Sequence, residues 1–122
     1  RPMESEPEVL VTKIVSPSTG RNFFLSTTFF QNGCFIVITE GQPRIGAVSI
    51  AISASNKVST AKVIPSKYDS IFINTVAEKV SSMINGISLV SLHSMSQLQL
   101  DDMKAIMEEV MNTVSSRRYG RQ

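Results

Sequence analysis

With 122 residues, 42% of them hydrophobic, the chain is sized for one domain whose core takes about two thirds of its surface out of water. The formal net charge is +2, and the basic residues are scattered apart from Arg117, Arg118 and Arg121, so no continuous stripe can neutralise phosphates and nucleic acid is excluded as a partner. The single cysteine, Cys34, rules out an internal disulfide and points to the cytoplasm, with the nucleus as a second location; no apolar run approaches the roughly 20 residues of a membrane helix, so no membrane contact is expected.

Residues 8–116 are expected to form the domain, between flexible termini at 1–7 and 117–122. Arg1 and Pro2 precede Met3, which reads as the natural start behind a two-residue remnant, and the acidic stretch MESEPEVLV is not a secretory signal. EVLVTKIV (8–15) mixes alternation with β-branched residues and predicts a first strand, closed by the turn residues of SPSTGRN. FFLSTTFFQ (23–31) predicts a second, and the Asn32-Gly33 pair predicts a hairpin, since both residues tolerate positive φ. CFIVITE (34–40) is a continuous apolar run, the pattern of a strand buried on both faces in mid-sheet. IGAVSIAIS (45–53) predicts a fourth strand, with Val48, Ile50 and Ile52 on one face and the small residues Ala47, Ser49, Ala51 and Ser53 on the other. Ser55-Asn56 makes a turn, and VSTAKVI (58–64) predicts a fifth strand ended by Pro65.

The period then changes. From Ser70, the residues Phe72, Val76, Val80 and Met83 recur at spacings of three and four, with Ile73, Ala77 and Ile84 beside them, predicting an amphipathic helix that Asn85-Gly86 ends. ISLVSLH (87–93) alternates and predicts a sixth strand. A second helix is expected from Ser96, where Ser96 and Gln99 have capping-box spacing, and its buried stripe would be Leu100, Met103, Met107, Val110 and Val114. The result is an α+β fold with a six-stranded, mainly antiparallel sheet and two helices in the order βββββαβα. Four short connections among the first five strands favour a meander. Helices packed on one face of such a sheet leave the other in need of cover.

Glu40-Gly-Gln-Pro-Arg-Ile-Gly46 holds two glycines and an arginine, but a phosphate loop needs successive amides leading into a helix, and this segment leads into a strand with Pro43 removing a donor. It reads as a hairpin connection with Arg44 exposed at its tip. Cys34 and His93 are the only residues of their kinds, but a cysteine in an apolar strand without a basic neighbourhood is a structural residue, and no catalytic pair is assigned. One His and one Cys give no metal-ligand spacing, and Asp101, Asp102, Glu108 and Glu109 read as helix charges facing water. No catalytic residue, cofactor or metal is expected. In Pro65-Ser-Lys-Tyr-Asp-Ser70, Asp69 or Ser70 reads as a helix cap, while Lys67, Tyr68 and Asp69 also suit a protein contact. Met103, Met107 and Met111 form one column, either a core stripe or an adaptable groove.

Laid out in this order, the chain resembles the small proteasome assembly chaperones of the chaperone 3 and chaperone 4 type, from about Val11 to Val114. The residues that carry the likeness are Phe35-Ile-Val-Ile-Thr39, Ile45-Gly-Ala-Val-Ser49, Ser59-Thr-Ala-Lys-Val63, Ala77-Glu-Lys-Val80 and Leu89-Val-Ser-Leu92. The early hairpin and the Thr-x-Lys-Val strand look more like chaperone 3, while the turn at 40–44 and the connection at 67–70 depart from its pattern. The resemblance implies a non-catalytic chaperone that pairs with a related small chaperone, or with itself in isolation, and binds α subunits of the 20S proteasome during α-ring formation. On that basis Ala47, Ser49 and Ala51 are expected to lie against another chain, and Arg44 with Lys67, Tyr68 and Asp69 to reach a proteasome subunit. The alternative class is a longin- or roadblock-like scaffold for GTPase or trafficking complexes, whose helix falls among or before the early strands rather than after five of them.

Overall fold

Alternating β-branched and aromatic residues carry the first half of the chain into strands, and three-and-four spacing carries most of the rest into helices. The computed structural model describes residues 9–117. In chain order they form β1 (Leu10–Val15), β2 (Phe23–Phe30), β3 (Gly33–Glu40), β4 (Ala47–Ala54), β5 (Lys57–Ile64), α1 (Ser70–Ile84), β6 (Ile87–His93) and α2 (Leu100–Arg117). This is the α+β order expected. Met3 and the tails expected at 1–7 and 117–122 lie outside the described residues, except that Arg117, expected in the second tail, closes α2.

The six strands are ordered β1-β2-β3-β6-β4-β5, with β3 and β6 parallel and every other neighbouring pair antiparallel. The expected meander therefore breaks between β3 and β4, where β6 inserts. Loop length was a poor guide here: residues 41–46 must span two strand spacings, about 10 Å, and six extended residues reach about 20 Å. β5 and β6 run parallel on either side of β4, and α1 is the crossover such a pair requires.

Two glycines make the insertion possible. A Cβ on Gly33 would stand 2.2 Å from the Ile87 carbonyl oxygen, and one on Gly46 would stand 2.1 Å from that of Leu92. Gly33 is thus a point of close backbone approach. The β2–β3 loop is Gln31–Asn32, because Phe30 already pairs with Gly33, and neither Asn32 nor Gly33 has positive φ. The turn with positive φ at both residues is Ser55 (53°) and Asn56 (65°), between β4 and β5.

Both helices pack on the same sheet face. There Phe23, Leu25, Ile36, Ile38 and Val90 meet Ile73, Val76 and Val80 of α1 and Ile106, Val110 and Val114 of α2. The register places Ala47, Ser49 and Ala51 on this covered face, opposite Leu92, Val90 and Ser88. Ala51 and Ser49 are buried, and the Ser49 hydroxyl donates to Asn74 Oδ1 of α1 at 2.6 Å. The expectation that this small-residue face meets another chain is corrected: small side chains let the chain's own α1 come close to β4. The branched residues Ile50 and Ile52 are the ones turned away from the helices.

Helix boundaries carry two further corrections. α2 starts at Leu100 rather than Ser96, since the Gln99 amide donates to Asp102 Oδ2 at 2.8 Å and the Ser96 carbonyl is taken by Arg21. Its buried stripe is Asp102, Ile106, Val110, Thr113 and Val114, with Leu100 71% exposed and Met103 and Met107 at the margin. At the start of α1, Asp69 makes no capping hydrogen bond. Ser66 Oγ instead accepts from the Tyr68 and Asp69 amides at 3.2 and 2.9 Å.

Candidate functional site

The face opposite the helices is built row by row from the strand register. One row crosses all six strands as Leu10, Thr28, Phe35, Leu89, Ile50 and Ala61; the next runs Phe30, Gly33, Ile87, Ile52 and Ser59. Leu10, Phe30 and Ile52 are exposed, and Phe35, Leu89, Ile50 and Ile87 are half-buried, with no second layer over these four among the described residues. Towards the other end, Ile14 (70% exposed) pairs with Phe24, and the two line a shallow cavity with Thr39, Gly41 and Pro43. The side chains that the register places on this face include no carboxylate, and their one cation is Lys57 at a corner. A face of six strands measures roughly 24 Å by 26 Å. Half of that, on the order of 300 Å², is the size at which a continuous apolar patch ordinarily serves an interaction. Absence of charge at its centre is the compositional mark of an interface core.

The two ends of the sheet also differ. At one end the connections are two-residue turns at 31–32, 55–56 and 85–86. At the other, antiparallel pairing gathers the connections 16–22, 41–46, 65–69 and 94–99. The 41–46 connection is strapped over the end of β6: the Gly46 amide donates to Ser91 Oγ at 3.0 Å and Thr39 Oγ1 donates to the Arg44 carbonyl at 3.4 Å. This buries Ser91 and Thr39 within the otherwise open face. The segment is therefore a bridge across an inserted strand and not a hairpin.

Arg21 holds this end together. Its five N–H groups donate to Glu40 (Nε to Oε2 at 3.1 Å and Nη2 to Oε1 at 2.8 Å), to Asp102 Oδ2 (3.0 Å) and to the carbonyls of Gln97 (3.0 Å) and Ser96 (3.1 Å). Glu40 Oε1 also accepts the Met95 amide at 2.8 Å, and Thr19 donates to Asp102. The Arg21 hydrogen bonds hold the Glu40 carboxyl below its ordinary value against its burial. Burial pushes the Asp102 carboxyl up, but the Thr19 hydroxyl, the Gln99 amide and Arg21 outweigh it and leave it lowered. Asp102 is fully buried, which corrects its reading as a water-facing helix charge; Asp101 and Glu108 are exposed, and Glu109 pairs with Lys13 at 3.2 Å.

Of the residues singled out as contacts, Arg44, Lys67 and Tyr68 are exposed and lie at the same end of the sheet, with Lys67 Nζ 5.8 Å from the Tyr68 ring centroid. Asp69 is buried beside them, whereas Ala47, Ser49 and Ala51 belong to the helix-covered face. Cys34 is buried, its thiol pushed up to about 12 by that burial. Cys34 and His93 stand at opposite ends of the parallel β3–β6 pair, opposite Ser88 and Thr39, roughly 16 Å apart along the strands. Among the described residues no group of three or more His, Cys, Asp or Glu could hold a metal ion, and no helix is long and apolar enough to cross a membrane. Sequence reading missed the outward role of Phe35, Ile50 and Leu89. Their signal was present in the alternation, but it cannot tell which face the helices take.

No protein-family profile matches the chain, and no curated protein matches it. Among solved structures, the fold is similar to that of a chain in the crystal structure of a chaperone complex for yeast 20S proteasome assembly, with a TM-score of 0.54 and 14% sequence identity over 90% of this chain and 93% of that one. The correspondence is one of fold, and it extends over nearly the full length of both chains.

Proposed function

We propose that the chain is a non-catalytic chaperone of 20S proteasome assembly. It would work as a dimer with a related small chaperone, with the open sheet face as the dimer contact and the loop-rich end as the surface offered to α subunits during α-ring formation. The observation that carries this reading is the apolar, carboxylate-free sheet face opposite two helices. Such a face is costly to leave in water and is suited to a second sheet of similar shape. The yeast assembly-chaperone fold supports the choice of assembly pathway, and the early hairpin and the Thr-x-Lys-Val strand favour the chaperone 3 type over the chaperone 4 type. The cytoplasm and nucleus are the expected locations.

Five strands before the first helix weigh against a longin- or roadblock-like scaffold. Arg44, Lys67 and Tyr68, gathered at one end, would serve the proteasome contact without competing with the dimer face. The test is affinity purification of the tagged chain from cells. Recovery of proteasome α subunits and a second small chaperone, without mature β subunits, is the expected result; absence of α subunits would overturn the proposal. Analytical ultracentrifugation of the isolated chain reads the dimer step separately, with a second copy covering the face when the related chaperone is absent.

A further inference from the structure

Tyr68, Asp69, Ile71, Phe72, Gln97 and Met103 surround a cavity of about 390 Å³ where the 65–69 and 94–99 connections meet the first turns of both helices. Ile71, 81% exposed, and Tyr68, 46% exposed, give its rim apolar surface beside the polar Ser70 and Thr75, whereas Asp69 in its wall is only 5% exposed. Among the described residues the carboxylate has one hydrogen-bond partner, the Leu98 amide, at 3.4 Å, longer than a well-formed N–H···O bond. It has no ion pair. Arg21 is near enough to be felt by Asp69, but all five of its N–H groups are committed to Glu40, Asp102 and the 96 and 97 carbonyls. Lys67 lies over the Tyr68 ring, and Lys104 lines the neighbouring groove along Met103 and Met107. Burial pushes the Asp69 carboxyl above its ordinary value, so its charge is under-compensated.

We propose that this cavity binds a basic side chain of a protein partner, with the cationic head on Asp69 and the aliphatic stem against Tyr68, Phe72 and Met103. Charge complementarity selects the occupant: a buried carboxylate with acceptor capacity to spare takes a charge-assisted hydrogen bond, and the apolar walls beside it suit an aliphatic stem. The exposed apolar surface of the rim suits a side chain that arrives on a protein surface better than a free hydrated cation. The cavity is separate from the open sheet face, so failure of either leaves the other standing.

The test is an NMR titration of the full chain with blocked arginine (acetyl-arginine-amide), following the Leu98 amide and the Met103 methyl. Blocked norleucine serves as the uncharged control. A saturable shift of both signals is expected, with affinity roughly tenfold or more above that for norleucine. Asp69→Asn keeps an acceptor for the Leu98 amide and removes only the charge; it should abolish the difference between the two probes while the rest of the spectrum is retained. Equal response to both probes in the native chain, an unchanged arginine response in Asp69→Asn, or no saturable shift would each overturn the proposal.

Discussion

Ile50 and Ala51 are neighbours in β4 with opposite surroundings. Ala51 lies under α1 with no exposed surface, whereas Ile50 stands half-buried on the open face between Leu89 and Ala61. Along β2, β3, β6 and β4 the same period of two sorts most residues into one set that the helices cover and another that they leave uncovered. The two faces therefore answer to different requirements. The covered face needs small residues where a helix must approach and large ones where it need not; the open face needs a flat apolar surface without charge.

The sharpest way to break the comparison is to place the same charge on each face. Ala51→Asp would bury an unpaired carboxylate beneath α1, and a loss of about 4 kcal/mol or more is expected, read from the denaturant midpoint. A stable, soluble Ala51→Asp variant would mean that α1 does not sit tightly on β4.

Arg21→Met comes next. It leaves Asp102 buried without its cation and removes the clamp on the 96 and 97 carbonyls, with an expected cost of about 3 kcal/mol. Its pH dependence has a definite sign. Glu40 and Asp102 are both held below their ordinary values in the fold, so their contribution is present above the unfolded carboxylate pKa, about 4, and disappears as pH falls through the lowered folded values. Unfolding curves of the native chain and the variant should converge in acid; a gap independent of pH would show that Arg21 acts through packing alone.

These cases mark how far the sequence could be read. Strand and helix types were legible because period two and period 3.6 are local properties, and β6 was placed at its observed bounds, Ile87–His93. The insertion of β6 between β3 and β4 was not legible. It depends on Gly33 and Gly46 each allowing a backbone approach that comes from the far side of the chain. The Arg21 cluster was hidden for the same reason: Arg21, Glu40 and Asp102 are far apart in sequence, and only the sheet register and the start of α2 bring them together. In β4 the two faces were correctly separated, but their assignment was inverted, because a row of small residues fits a helix docking as well as it fits another chain.

On the open face the same charge should leave the fold nearly alone. Ile50→Asp is expected to change stability by about 1 kcal/mol or less, since among the described residues the side chain has no second layer to lose, while association falls by an order of magnitude or more in sedimentation experiments. If association were unchanged, the dimer contact would lie elsewhere than around Phe35, Leu89 and Ile50.

The smallest expected effect has the opposite sign, and it separates a group kept for function from one kept for stability. Burial holds the Asp69 carboxyl above its ordinary value, so the protonated form is favoured in the fold. Its contribution to stability is full below the unfolded carboxylate pKa and is lost as pH rises through the raised folded value. At neutral pH the ionised group is therefore a liability, unlike the clamped Asp102 across the same end of the sheet. Asp69→Asn should raise the neutral-pH Tm by a few degrees or less, and the difference should shrink towards acid. A lowered Tm at neutral pH would show that the 3.4 Å bond to the Leu98 amide secures the 94–99 connection, and that Asp69 is there to hold the fold.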